Sequence, residues 1–316
     1  MNGSDTYCKV TIMIPTYNQE EYVEQCVSSC LAQSYPNLEV VIGDDHSTDR
    51  TPELLAKFSR DPRVHIVRNE TNLGRVANYH NLLYRHARGE WVLNLDGDDY
   101  LSSPEAISTL ANAIPEASDS VLVFGTVHRL DDRQRAEADL PRRDVVAPPE
   151  VIHGTVLVRD YWKTDRGLRH AGALYHRRTA LELGFYELDI ISSDIDSLLR
   201  LSIHGSVIVV DAPIAIWRFH GHNESAQVSL DRRLANLKMI KNVHEELQRS
   251  CGRSFAKRWR KRMRRKMIYG SYVSLRRAGR ADLARVFLME ATVSSRELLS
   301  ILIYPKFFLR KLTGKW

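Results

Sequence analysis

Over its first 130 residues the chain alternates short apolar runs with stretches of helical periodicity, and few folds accept that order. The run KVTIMI at residues 9–14 reads as a buried strand, and LEVVIG (38–43), RVHIVR (63–68) and EWVLNL (90–95) read the same way. Between them lie helix-like segments. Residues 20–33 place Tyr22, Val23, Cys26, Cys30 and Leu31 on one helical face. TPELLAKFSR carries Pro52 near its first turn, where a proline fits, and RVANYHNLLYRHA follows at 75–87. Continuous β-branched strands separated by helices of about 10–15 residues indicate βαβ units and a parallel sheet covered on both faces. With 43% hydrophobic residues in 316, there is enough apolar material for such a core.

Ligands of open α/β sheets bind beyond the carboxyl ends of the strands. The polar clusters of this sequence fall there: PTYN after the first strand, DDHSTD after the second and DGDD after the fourth. The last sets Asp96, Asp98 and Asp99 around one glycine at the end of a run that should be buried. An Asp/Gly cluster is also an ordinary turn. Oxygen ligands with no neighbouring His or Cys suit Mg²⁺ or Mn²⁺, which complete their shells with water and substrate phosphates. In the second cluster, Ser47 or Asp49 can cap the helix that opens at Thr51. Asp44 and Asp45 emerge from the strand itself and are placed to accept hydrogen bonds from a base or a ribose.

Residues 120–230 are less regular, with further strands at SVLVFGTV and SVIVVD and a charged, proline-containing segment at 131–150 that reads as a surface loop. From residue 232 to the end there are 23 Lys/Arg against 5 Asp/Glu, a net charge of +18, which leaves −12 for the rest. The expected division is a catalytic domain at 1–230 and a basic helical region at 231–316. Within the latter, Phe255, Trp259, Met263 and Met267 recur every four residues, and an apolar stretch with Phe307 and Phe308 follows near the end. That combination fits an interfacial element on anionic lipid, or packing on the rest of the protein. A pI near 9.1 raises nucleic-acid binding, but the acidic first part and the lack of a recognised motif argue against it. The four cysteines lack metal-ligand spacing. The first ten residues lack a basic and then apolar leader, and no run of about 18 apolar residues occurs. The expected location is therefore cytoplasmic, peripheral at the inner face of the cytoplasmic membrane.

Three blocks, TIMIPTYNQEEYVEQCVSSCLAQSYPNLEVVIGDDHSTDRT, NLGRVANYHN and GEWVLNLDGDDYL, together resemble the family 2 glycosyltransferases of GT-A fold in order and spacing. The resemblance covers residues 9–101 and continues more loosely to about 225. It implies a GT-A, Rossmann-like α/β fold with a mostly parallel sheet. It also implies inverting transfer from a nucleotide-diphosphate sugar, most often a UDP-sugar, with Mn²⁺ or Mg²⁺. A glycan or lipid-linked acceptor of cell-surface polysaccharide synthesis follows, and a homo-oligomer is compatible. Carried over, Pro15, Thr16 and Tyr17 line the base pocket, Asp45 holds the uracil or ribose, and Arg75 lies near the diphosphate. Asp96 and Asp98 form the DxD pair, with Asp98 or Asp99 on the metal. In SSDIDSLLRL, Asp194 matches the catalytic base, while Leu198 and Arg200 match the helix after it. Ser193 stands where many members have glutamate, and a helix capped by Ser192 or Ser193 explains the same residues. In IWRFHGHNES, His220 matches a histidine that approaches the metal or diphosphate, in preference to His222, whereas Trp217 and Arg218 are expected to pack the sheet end. Asn223 opens a glycosylation sequon, without consequence in a cytoplasmic chain. His46 replaces a small residue, often glycine, in the second loop. His128, His170 and Tyr175 are candidates for the acceptor pocket.

A nucleotidyltransferase shares the need for metal and nucleotide phosphates. It would favour a Gly- and Lys-rich signature after the first strand, and IPTYNQEEY has neither. A catalytically inactive nucleotide-sugar-binding relative is the other alternative, suggested by Ser193.

Overall fold

The computed structural model describes residues 7–115, 119–131, 147–163, 167–220, 223 and 229–294. The 131–150 loop expected from sequence falls largely outside them, as do His222 and the apolar stretch near the end. The chain divides into two compact units. One comprises Met1–Asp189 with Ser193–Asn223, and the other Ile190–Ser192 with Glu224–Trp316.

The first unit opens with β1 (Val10–Thr16), α1 (Val23–Leu31), β2 (Leu38–Asp44), α2 (Thr51–Ala56), β3 (Val64–Arg68) and α3 (Arg75–Asn81). α3 runs on into a π-helical turn at Leu82–His86. β4 (Trp91–Asn94), β5 (Tyr100–Leu101), α4 (Ala106–Ala111), β6 (Ser120–Asp131), β7 (Glu150–His153) and α5 (Gly154–Asp160) follow. A 3₁₀ turn at His170–Gly172 leads into β8 (Ala173–His176), α6 (Arg177–Glu182), α7 (Ser193–Ser202) and β9 (Ser206–Phe219).

The sheet order is β3-β2-β1-β4-β8-β6-β9-β5, with β7 also on β9. The parallel arrangement expected from βαβ units holds across β3, β2, β1 and β4. Beyond β4 the sheet is mixed. β8 is antiparallel to both β4 and β6, β6 and β9 are parallel, and β5 and β7 are antiparallel to β9.

β1 and β4 are buried along their whole length, as continuous apolar strands require, while the edge strand β3 is only half-buried. Val23, Cys26, Val27 and Cys30 turn the buried face of α1 onto the core formed by Val10, Ile12, Ile14, Val40 and Ile42. Because β1, β2 and β4 are parallel, their carboxyl ends meet on one rim. Thr16 lies opposite Asp44, and Gly97 N donates to Pro15 O just past the end of β4.

The second unit is helical: α8 (Leu230–Ala235), α9 (Lys238–Cys251), α10 (Arg253–Arg277) and α11 (Ala281–Glu290). Ile268 and Leu275 of α10 pack with Ala284 and Phe287 of α11 and with Leu230 and Leu234 of α8. The buried face of α9, with Met239, Ile240, Val243 and Leu247, belongs to a helix that packs against α10. Of the two expectations for the α10 stripe, its burial favours packing within the protein. Trp259 and Met263 are 2% and 3% exposed, and Phe255 and Met267 are half-buried. Protein already covers the apolar face that would have entered a headgroup layer, while Lys257, Arg258, Arg260 and Lys261 face solvent.

Candidate active site

The turn after β2 is built by its own polar groups. Asp49 Oδ1 accepts from Thr51 N in a turn just ahead of α2, whose N-cap position is Arg50 and carries no side-chain cap, and Oδ2 accepts from Glu20 N. Ser47 Oγ accepts from Asn18 N. His46 sits at φ 64°, in the left-handed region where glycine is easiest, which accounts for the small residue expected there.

Asp45 is 2% exposed. Its Oδ1 accepts from Asn69 Nδ2 and Leu73 N, and its Oδ2 from Gly74 N, each at 2.8 Å. Gly74, at φ 88°, is the residue before α3, so Asp45 fixes the loop that sets the start of that helix and Arg75. An ionised carboxylate offers about four acceptor positions, and three are taken here. Pro15 and Thr16 are buried at the end of β1, and Tyr17 is exposed beside them.

The loop after β4 is tight for a reason of space. A Cβ on Gly97 would lie 2.2 Å from Gln19 Oε1 and 2.7 Å from Thr16 Oγ1. Gly97→Ala is therefore expected to destabilise the protein by about 1–3 kcal/mol, through overpacking against β1. Thermal denaturation checks this, and an unchanged midpoint would show that the loop can shift.

The carboxylates of Asp96, Asp98 and Asp99 each offer an oxygen within 4.8 Å of the others. They differ in surroundings. Asp96 Oδ1 accepts from Tyr79 Oη at 2.7 Å and Asn94 Nδ2 at 3.3 Å, and its Oδ2 is 3.4 Å from His170 Nε2. Burial would raise the Asp96 carboxyl, but His170, Arg75 and the Tyr79 hydroxyl outweigh it and hold it at about 2. Asp99 goes the other way. Burial, then the charges of Asp98 and Asp96, push it well above the ordinary carboxylate range, although its Oδ1 accepts from Arg218 N. Asp98 Oδ2 accepts from His220 Nε2 at 2.9 Å and from Asn223 Nδ2 at 3.2 Å.

Asp194 stands in the first turn of α7, half-buried. The 3₁₀ turn carrying His170 touches both β4 and α7. Burial pushes the His170 imidazole down, but the charges of Asp96 and then Asp194 outweigh it and raise it above its usual value. The two carboxylates thus act on one buried histidine. Asp196, on the same helix, pairs with Arg200 at 3.1 Å, and Arg200 Nη2 donates to Gly184 O, which anchors α7. The Ser193 hydroxyl is buried with no hydrogen-bond partner among the described residues.

The structure brings Arg75, Asp96 and His170 into one network, and Asp98, Asp99 and His220 into another that adjoins it. Arg75 Nη1 donates to Tyr79 Oη, which in turn donates to Asp96. His170 does not line an open pocket; it is buried against Asp96. Tyr175 is corrected outright. It is fully buried in β8 with its ring against Phe185, so it packs the core and does not face an acceptor. His128 is half-buried on β6, opposite Ile216.

Four contributors escaped the sequence reading. Tyr79 looks like a core residue of α3, and its spacing of four from Arg75 was the available signal. Arg218 looked like sheet packing. It is buried, lies against the rings of Tyr22 and Tyr100, and donates from Nη1 to Asp98 O. Tyr22 stacks on His220, with ring centroids 5.0 Å apart. Asn223 was absorbed into a sequon.

Comparison with known proteins agrees with this construction. Residues 11–182 match the family described as Glycosyl transferase family 2. TarS of Staphylococcus aureus, a poly(ribitol-phosphate) beta-N-acetylglucosaminyltransferase, is 34% identical over 118 residues, 37% of this chain and 20% of TarS. An uncharacterised protein of Mycobacterium tuberculosis is 25% identical over 232 residues, 71% of this chain and 62% of its own length. The chain thus spans less than two thirds of the length of either relative. Among solved structures, residues 1–349 of S. aureus TarS with UDP-GlcNAc superpose with a TM-score of 0.65 at 19% identity, covering 90% of this chain and 81% of that one. The mannosyltransferase PcManGT of Pyrobaculum calidifontis with GDP-Man and Mn²⁺ gives 0.53 at 16% identity, covering 99% and 89%. These likenesses establish the GT-A fold. The family match at residues 11–182 spans more than half of the chain and takes in nearly all of β1, with β2, β4 and the DGDD loop, and the protein belongs to glycosyl transferase family 2.

Proposed function

We propose that the chain transfers a sugar, with inversion, from a nucleotide-diphosphate sugar to an acceptor hydroxyl, with a UDP-sugar as the first choice of donor. The observation that carries this is the rim itself, where three carboxylates of one loop converge within 4.8 Å beside the ends of β1 and β2. TarS with UDP-GlcNAc and PcManGT with GDP-Man and Mn²⁺, both of this fold, support a nucleotide-sugar donor.

The donor set of Asp98, Asp99 and His220, mostly oxygen with one imidazole, fits Mn²⁺ or Mg²⁺. Held by these residues, a divalent cation would supply charge neutralisation for the nucleoside diphosphate leaving group. Pro15, Thr16 and Tyr17 bound the base, Asp45 accepts from base or ribose through its remaining position, and Asp96 and Arg75 face the ribose and the phosphates. Asp194 takes the proton of the acceptor hydroxyl as that oxygen bonds to the anomeric carbon. The bond to the nucleotide oxygen breaks on the opposite side. One displacement inverts the centre, so no covalent intermediate is required.

Thermal denaturation with UDP-, dTDP- and GDP-sugars, each with and without Mn²⁺, tests the reading. A bound donor at 100 times its Kd adds about 2.7 kcal/mol of stability. No shift from any nucleotide sugar would overturn it. Hydrolysis of the stabilising donor separates a transferase from a nucleotide-sugar binder.

The acceptor side of the proposal is a glycan or lipid-linked glycan in cell-surface polysaccharide synthesis. Among the described residues no helix is long and apolar enough to cross a membrane. With Trp259 and Met263 inside the protein, contact with an anionic membrane would be electrostatic, through Lys257, Arg258, Arg260 and Lys261, at about 1 kcal/mol for each charge near the surface. Sedimentation with anionic and neutral vesicles at two salt concentrations is expected to show binding only to the anionic ones, weakened by salt. Equal, negligible binding to both would leave the helical unit as a docking or homo-oligomer element.

A further inference from the structure

Asn223 lies four residues beyond the end of β9, is buried, and uses both ends of its carboxamide. Nδ2 donates to Asp98 Oδ2 at 3.2 Å and to Arg218 O at 3.1 Å, while Oδ1 accepts from His220 N at 2.5 Å. His220 Nε2 donates to the same oxygen of Asp98. Among the described residues, then, the hydrogen bonds to this carboxylate all fall on Oδ2, and Oδ1 remains for a cation.

We propose that Asn223 is a positioning residue of the cation site. It holds the Asp98 carboxylate in one orientation and ties to it the backbone of the residue that would complete the site. The proposal rests on the metal-dependent reading above. Two physical points carry it. First, a carboxylate beside Asp96 and Asp99 is pushed away by like charge unless donors hold it, and Asn223 is one of only two side-chain donors on Asp98 among the described residues. Second, His220 Nε2 cannot donate a proton to Asp98 and coordinate a cation through the same atom. When the imidazole turns to the metal, its bond to Asp98 is lost and Asn223 remains to hold Oδ2. Partners that orient metal ligands typically carry 10–100-fold in metal affinity.

The carboxamide also specifies the test. Asn223→Asp keeps the size and the acceptor toward His220 N, but sets an acceptor against Asp98 Oδ2. Asn223→Leu removes both functions at similar volume. Mn²⁺ binding to the full chain, followed by electron paramagnetic resonance, is compared for the wild type, Asp98→Ala and both variants, with metal-free thermal midpoints alongside. The expected result is a Kd for Mn²⁺ raised about 10–100-fold in both variants, with Asn223→Asp the weaker binder. A smaller gain in thermal midpoint on adding Mn²⁺ should accompany it. Wild-type Kd values in both variants, even with lowered metal-free midpoints, would make Asn223 merely structural and overturn the proposal while leaving the metal reading intact. A wild type that binds no Mn²⁺ would remove the metal reading and this proposal with it.

Discussion

Asp194→Asn is expected to bind nucleotide sugar as the wild type does and to lose transfer by about 10²–10⁴-fold, the usual contribution of a positioned base. The amide has nearly the size of the carboxylate, so α7 is undisturbed; its anchorage runs through Asp196 and Arg200. Donor-induced thermal shifts and single-turnover transfer separate binding from chemistry. A second readout follows from His170, whose pKa is raised by Asp96 and, less strongly, by Asp194. Removing the Asp194 charge should move the His170 titration toward lower pH, which NMR of the imidazole can follow. A histidine raised in the folded state contributes stability that is present below about 6.5 and lost as pH rises through its folded value. In Asp194→Asn that contribution should therefore be smaller and be exhausted at a lower pH than in the wild type. A variant turning over within a few-fold of wild type would show that another group takes the proton.

Asp98→Ala is expected to abolish metal-dependent transfer, a loss of at least about 10³-fold, since charge stabilisation by a metal supplies several kcal/mol of the barrier. Its effect on folding should be small because two terms oppose each other. The change strands the donors of His220 and Asn223, at about 1–3 kcal/mol for a buried unsatisfied group. It also removes one of three crowded carboxylates and relieves Asp99, whose raised pKa reports part of that repulsion. The Asp99 pKa should accordingly fall toward the ordinary range. Activity assayed across a Mn²⁺ titration, with thermal denaturation of the metal-free protein, checks both halves. Full activity at saturating Mn²⁺ would remove Asp98 from the metal assignment.

Much of the site was legible because its parts are local. A strand and the Asp-Gly-Asp-Asp one residue beyond it lie within the nine consecutive residues 91–99. The same holds for Asp44 and Asp45 at the end of β2, and for Asp194 opening a helix. The bond from Asp49 to the Thr51 backbone at the start of α2 is local in the same way, since a side chain that bonds the backbone two residues on needs no tertiary partner, but Arg50 and not Asp49 takes the N-cap position. The small residue expected at position 46 came from the family resemblance, and the left-handed φ of His46 gives it a cause.

Tyr175 shows where local pattern fails. A tyrosine in a polar-looking segment reads as a candidate liner, yet β8 sits between β4 and β6 in the middle of the sheet, where a side chain meets other side chains. The α10 stripe stayed open between lipid and protein for the same reason. Periodicity shows that Phe255, Trp259, Met263 and Met267 share a face, but it does not say whether lipid or another helix covers that face.

By itself, then, the sequence determined the βαβ start of the fold, the rim on which the carboxylates stand, and the family. Alternation of side chains along a strand and the chemistry of turns act within a few residues. Only the tertiary structure decided what each carboxylate faces. The pairing of β8 with β4 carries His170 to Asp96 across 74 positions, and the return of β9 beside β5 carries His220 and Asn223 to Asp98 across 122 and 125. The first of these meetings helps to hold Asp96 low against its burial, whereas burial, then the charges of Asp98 and Asp96, push Asp99 high in the same four-residue loop. The loop supplies the crowding of its own carboxylates, but their burial and the approach of His170 depend on strand order, because they are properties of the packed chain.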